Sequence, residues 1–120
     1  MNKKEMIRNY KQTVQPMGIY RIKNLKNGRI FIGSAKDLRG IINSNKFQLK
    51  SGRHFNRELQ KDFDETGEEG FSFDILDYLK PKEEPNYDYT GELKVLEEMW
   101  LEKLEPYDEK GYNTRNKPSS

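Results

Sequence analysis

The sequence predicts an α+β layered domain: a small central antiparallel sheet of three strands flanked by helices, in the order ββααβα. Three observations predict it. Two β-prone runs flank an Asn27-Gly28 dipeptide, a stretch from Phe71 alternates apolar with polar residues, and three segments repeat apolar residues at helical spacing. With 120 residues, 32% hydrophobic and 35% charged, the chain has enough material for one small core and too little for two. Its 12% aromatic content and net charge of only +2 argue against disorder throughout.

Residues 1–15 are polar and basic without sustained periodicity and read as an N-terminal arm. Gly18-Ile19-Tyr20-Arg21-Ile22-Lys23 and Arg29-Ile30-Phe31-Ile32-Gly33 form the arms of a β-hairpin, because Asn-Gly readily supplies the positive φ that a tight turn needs. Ser34 offers an N-cap oxygen with Asp37 three residues on, and Leu38, Ile41, Ile42 and Leu49 continue as a helix over about 36–49. Ser51-Gly52 breaks it. Phe55, Leu59 and Phe63 then mark a second amphipathic helix, which Gly67 stops. Phe71, Phe73 and Ile75 alternate with Ser72 and Asp74 as in a half-buried strand reaching to about Tyr78, the third of the sheet. The acidic, proline-bearing stretch 81–89 reads as an exposed loop. Thr90 is a candidate cap for a last helix carrying Leu93, Leu96, Trp100 and Leu104 on one face, with Trp100 expected in the core and Pro106 as terminator. A short β-prone fragment follows at 107–113, so the domain spans 16–114 and residues 115–120 form a tail expected to fray.

The absence of cysteine excludes disulfides, thiol nucleophiles and cysteine zinc sites. No apolar run is long enough to span a bilayer and the first residues lack a signal-like stretch, so a soluble, cytoplasmic protein is expected. Charge is divided along the chain: residues 1–61 carry fifteen Lys/Arg against three Asp/Glu, and residues 62–120 carry seven against seventeen. A basic first half at +12 and an acidic second half at −10 fit a molecule with one surface for a polyanion, or two halves that attract each other. A single histidine makes a histidine-based triad improbable, and no phosphate-loop glycine motif is present.

The most specific signal lies in the hairpin: Gly18-Ile19-Tyr20, ten intervening residues, then Phe31-Ile32-Gly33-Ser34. With Ala35-Lys36-Asp37-Leu38, Leu49 to Gly52, Leu59 to Phe63, Phe71 to Leu76, Glu97 followed by Trp100, and Gly111-Tyr112-Asn113, it resembles the GIY-YIG nuclease superfamily over roughly residues 16–114. The resemblance implies metal-dependent hydrolysis of DNA phosphodiester bonds. It matches Tyr20 to the general base, Glu97 to the single metal-binding carboxylate for one Mg²⁺ or Mn²⁺, and Asn113 to a late supporting asparagine. A phenol has a reference pKa near 10 and removes a proton from water efficiently when nearby positive charge favours the phenolate.

Three positions depart from the family. Phe31 replaces the second tyrosine, Ile41 stands where a helix arginine binds the attacked phosphate, and Asn45 stands where histidine or tyrosine is frequent. Loss of one transition-state electrostatic partner costs about 10²–10³ in rate, so weakened activity is expected. His54 and Arg57 are the candidates for replacing part of the lost positive charge. Lys36, Arg39, Lys46, Lys50 and Arg53 are the expected contacts to nucleic acid, DNA first and RNA second, and a protein partner that supplies target choice is a further expectation. Two alternatives stay open: a catalytically inactive nucleic-acid-binding module, and a protein-interaction domain working through the acidic loop and last helix.

Overall fold

The structure, a computed structural model, describes residues 15–84 and 86–115, so nearly all of the expected arm and tail lies outside the described residues. The central strand β1 (Gly18–Asn24) pairs antiparallel with β2 (Ile30–Ala35) on one side and β3 (Phe71–Tyr78) on the other, giving the order β2-β1-β3. Cover on both faces of the sheet explains why Gly18, Ile19 and Tyr20 are all buried in succession, where a half-exposed strand would alternate. The hairpin forms as its turn chemistry predicts. Gly28 sits at φ +81° and donates its N–H to the Asn24 carbonyl at 2.8 Å, inside a loop closed by the Asn24 N–H to Arg29 carbonyl bond, also 2.8 Å.

Among the described residues three helices cover the sheet: α1 (Leu38–Lys50), α2 (Arg57–Thr66) and α3 (Thr90–Leu104). Tyr20, Ile22 and Phe31 meet Leu38 and Leu49 of α1, Leu59 and Phe63 of α2, and Phe71 in one core. Ile19 and Ile32 alternate to the opposite face, and α3 packs against β1 and β2. A single short 3-10 turn, Glu68–Gly70, leads from α2 into β3. Among the described residues no helix is long and apolar enough to cross a membrane.

The helix starts differ from expectation, each for a local reason. Asp37, not Ser34, caps α1 by accepting the Gly40 N–H at 3.1 Å, which leaves Ser34 in β2 with its hydroxyl free for another partner. Asn56 caps α2 through the Leu59 N–H at 3.0 Å, so Phe55 falls outside the helix whose apolar stripe it extends in sequence. Thr90 is the first residue of α3 and not its cap; its N–H goes to Asp88 Oδ1 at 3.0 Å. Trp100 is half-buried and not a core residue, because its Nε1 reaches Asp77 Oδ2 at 3.0 Å near the sheet edge. Residues 107–113 form isolated bridges, Ile30 with Gly111 and Tyr107 with Asn113, and no fourth strand.

The C-terminal segment is latched to the hairpin by a buried polar cluster. Tyr112 donates to Asp62 Oδ2 at 2.6 Å and accepts from Asn24 Nδ2 at 3.0 Å, while the Arg29 guanidinium stacks 4.2 Å from its ring centroid. Burial and the Asp62 carboxylate push the Tyr112 phenol up to about 12. Because the folded value lies above the ordinary 10, the stabilisation is complete below pH 10 and is lost as pH rises from there toward 12. Tyr112→Phe strands the Asn24 amide and should cost about 1–3 kcal/mol at neutral pH in denaturant unfolding. Its stability should also fall less steeply above pH 10 than that of the parent; identical slopes would contradict this role.

Candidate active site

Tyr20 of β1 and Glu97 of α3 both bear on the end of β2, at its adjacent residues Gly33 and Ser34. Tyr20 pairs across the hairpin with Gly33, and its ring lies directly on that residue: a Cβ at position 33 would stand 2.5 Å from the Tyr20 hydroxyl and 2.7 Å from ring carbons. Glycine is therefore required by the approach of the phenol and not by backbone dihedrals. The next residue, Ser34, donates its hydroxyl to Glu97 Oε1 at 2.8 Å and so ties α3 to β2. This donor also answers how an acid beside the Leu96 and Trp100 stripe is tolerated in a half-buried position. The pairing of β1 with β3 slips between Ile19 and Tyr20, a bulge of the kind that re-aims a side chain locally.

Tyr20 is 5% exposed. Burial pushes its pKa above 10; a hydrogen bond with Asn45 opposes the shift, and the Glu97 charge adds to it. The last contribution means that the carboxylate is close enough to act on the phenol electrostatically. Asn45 is buried on α1 and fully engaged. Its Nδ2 donates to the Ile41 carbonyl at 2.8 Å, and its Oδ1 lies 2.5 Å from His54 Nε2. With the oxygen occupied, the amide hydrogen faces Tyr20, the polarity that favours a phenolate.

His54, a candidate for compensating positive charge, is buried, only 3% exposed. Its Nδ1 accepts the Asn56 N–H at 3.0 Å, so the hydrogen sits on Nε2 and points at Asn45. Burial pulls its pKa below 6.5. The ring is thus a neutral member of a phenol–amide–imidazole chain and not the source of positive charge anticipated from the sequence. Phe31, in place of a tyrosine, is buried at the centre of an aromatic cluster, 6.2 Å from Tyr20, 6.1 Å from His54 and 5.8 Å from Phe55 between ring centroids. Ile41 packs against the main core from α1. Asn113 clamps β2 from outside, accepting the Ile32 N–H at 2.9 Å and donating to the Ile32 carbonyl at 2.8 Å, one residue from both Phe31 and Gly33.

The expected cationic contacts differ in their surroundings. Lys36 shares a cavity of about 280 Å³ with Ser34 and Glu97 and lies 3.7 Å from Asp88. Lys46 sits over the Phe73 ring at 5.1 Å, and Lys50 pairs with Glu68 at 3.2 Å. Arg39 is exposed on α1. Arg53 and Arg57 line a separate cavity of about 630 Å³ at the start of α2, and neither makes an ion pair among the described residues. Sequence reasoning missed Gly33 and Ser34 as site residues although both stand in the recognised motif; Ser34 was read as a helix cap. It also missed Phe55, whose place on an apolar stripe hid its exposure.

An α+β domain whose hairpin tyrosine and last-helix glutamate converge on one strand end is of the GIY-YIG catalytic type. The chain belongs to that family: the GIY-YIG catalytic domain model matches residues 16–113. Among solved structures it is similar to the catalytic domain of homing endonuclease I-TevI, with 30% identity, a TM-score of 0.65, and 83% of this chain and 99% of that chain covered. A second structure of the I-TevI catalytic domain, of a point mutant, gives 27% identity, a TM-score of 0.68, and coverage of 82% and 93%. No curated protein sequence matches.

Two outcomes check this geometry. Gly33→Ala forces the Tyr20 ring off β2 and should cost about 1–3 kcal/mol in unfolding experiments, the usual penalty for overpacking. A neutral variant would mean that the phenol lies elsewhere. The His54 imidazole should titrate below 6.5 by NMR. Since the folded state prefers the neutral ring, its contribution is complete above pH 6.5 and is lost as pH falls below it. A titration at or above 6.5 would contradict the burial of the ring.

Proposed function

We propose that the chain is a divergent, metal-dependent endonuclease that hydrolyses DNA phosphodiester bonds at reduced rate. The observation that carries this reading is the meeting of Tyr20 and Glu97 at Gly33-Ser34. Tyr20 accepts the proton of the attacking water. Asn45, held by neutral His54, donates to the phenol oxygen and so assists its deprotonation. Asn113 positions the strand segment under the phenol by holding both backbone groups of Ile32.

The residues present fit one hard divalent ion, Mg²⁺ or Mn²⁺. Glu97 is a lone carboxylate beside an open cavity, and among the described residues no group of three acids or histidines gathers to cage a metal. Such a site suits a cation that keeps several waters and takes one protein ligand together with substrate phosphate. When bound at Glu97, the ion supplies positive charge at the phosphate and offsets the opposition of the carboxylate to a phenolate at Tyr20.

Ile41 supplies no charge to the attacked phosphate, and the neutral state of His54 leaves Arg57, with Arg53, as the candidate source of compensating charge. The packing of Ile41 into the core also favours a second reading, a nucleic-acid-binding module without catalysis. Incubation with Mg²⁺ or Mn²⁺ and plasmid, single-stranded or branched DNA separates the two. The nuclease reading predicts cleavage that Glu97→Ala abolishes, that Tyr20→Phe lowers by about 10²–10⁴, and that Ile41→Arg raises. Because the Tyr20 phenol lies above its ordinary value, the rate should climb with pH through 9. Absence of cleavage, or cleavage indifferent to Tyr20→Phe and Glu97→Ala, would overturn it. Salt-dependent DNA binding without cleavage would instead establish the inactive module.

A further inference from the structure

Phe55 stands just outside α2 as an exposed aromatic. The residue is 69% accessible, yet its ring is not free: it stacks on the buried His54 ring at 4.5 Å with 24° between planes, and its edge meets Phe31 at 5.8 Å. His54 is itself fixed by Asn45 on one side and the Asn56 N–H on the other. A phenyl with one face already covered by a ring loses less conformational freedom than an unsupported one when a flat partner arrives. It borders the cavity of about 630 Å³ at the start of α2, into which Arg53, Arg57 and Lys61 bring positive charge. Two acids also line that wall; Asp64 is engaged by Gln60 Nε2 at 2.8 Å, and Glu65 is the other. Three cations against two carboxylates leave the cavity net positive.

From these features we infer that Phe55 is a stacking platform for one unpaired nucleobase, with Arg53, Arg57 and Lys61 holding the phosphates that flank it. The inference rests on the nuclease reading above and names its substrate class: DNA that presents an unstacked nucleotide beside the cleaved bond. An aromatic face is sequence-tolerant because every base has a π surface, and the surrounding cations follow the backbone. Phe31 touches Tyr20, His54 and Phe55 alike, so the platform stands one ring away from the phenol. A base resting there sits next to the site of hydrolysis. Continuous duplex offers no base to the ring without unpairing it first, and that cost sets the preference.

Binding measured without divalent ions keeps the test independent of cleavage. Fluorescence anisotropy compares a fully paired duplex, the same duplex with one extra unpaired nucleotide, and the corresponding single strand. The parent protein should bind the bulged and single-stranded forms more tightly than the paired duplex, by at least about fivefold, the low end of one base–aromatic stack. Phe55→Ala and Phe55→Leu should both erase the preference, and Phe55→Trp should keep it. The leucine variant retains apolar volume without a π face, and a thermal melt of each variant verifies folding. Equal affinity of the parent for paired and bulged DNA, or a preference that survives in Phe55→Leu, overturns the inference while leaving the nuclease reading standing. Failure to bind any nucleic acid overturns both.

Discussion

The contact between the Tyr20 ring and Gly33 is the constraint on which the site depends. A hairpin register that pairs these two residues places the phenol on β2, and the residue after the glycine then hydrogen-bonds the glutamate of α3. Two functional groups 77 positions apart are thereby located by two adjacent residues of one strand. The rest of the fold preserves that register. The Asn24–Tyr112–Asp62 latch grips the far end of the hairpin, Asn113 clamps β2 through Ile32, and the bulge opposite Ile19 and Tyr20 adjusts the path of β3. An interaction of this kind is geometric before it is energetic: a one-residue slip would turn Tyr20 to the other face of the sheet.

Burial of the phenol creates a chemical tension. Packing holds Tyr20 in place but raises its pKa, and the carboxylate of Glu97 raises it further. Asn45 supplies the opposing influence, and its orientation depends on a histidine that is kept neutral by its own burial. Phe31 and Ile41 take up apolar packing, Asn45 and His54 hold each other, and Arg53 and Arg57 line the cavity at the start of α2.

Much of the fold was legible because its elements are locally encoded. Asn27-Gly28 announces the hairpin, and the alternation after Phe71 announces β3. The stripes of α1 to α3 follow from apolar spacing, and the ordered set of motifs identified the family. What was not legible depends on long-range competition for partners. Ser34 has the chemistry of a cap, but Asp37 takes that task and frees the hydroxyl for Glu97. His54 looks like an exposed turn residue because nothing near it in sequence reveals Asn45 and Phe31 closing over it. Phe55 continues an apolar stripe, yet the Asn56 cap starts α2 one residue too late to bury it. The basic half of the chain reads as one positive surface until Glu68 and Asp88 come round to Lys50 and Lys36.

A phenol and a carboxylate that share a site must feel each other's charge. NMR titration of the Tyr20 ring carbon bonded to oxygen measures this directly, in the parent and in Glu97→Gln, which removes the charge while keeping an acceptor for Ser34. A lower Tyr20 pKa in the variant is the predicted result; an unchanged value would show that the two side chains do not act on a common substrate.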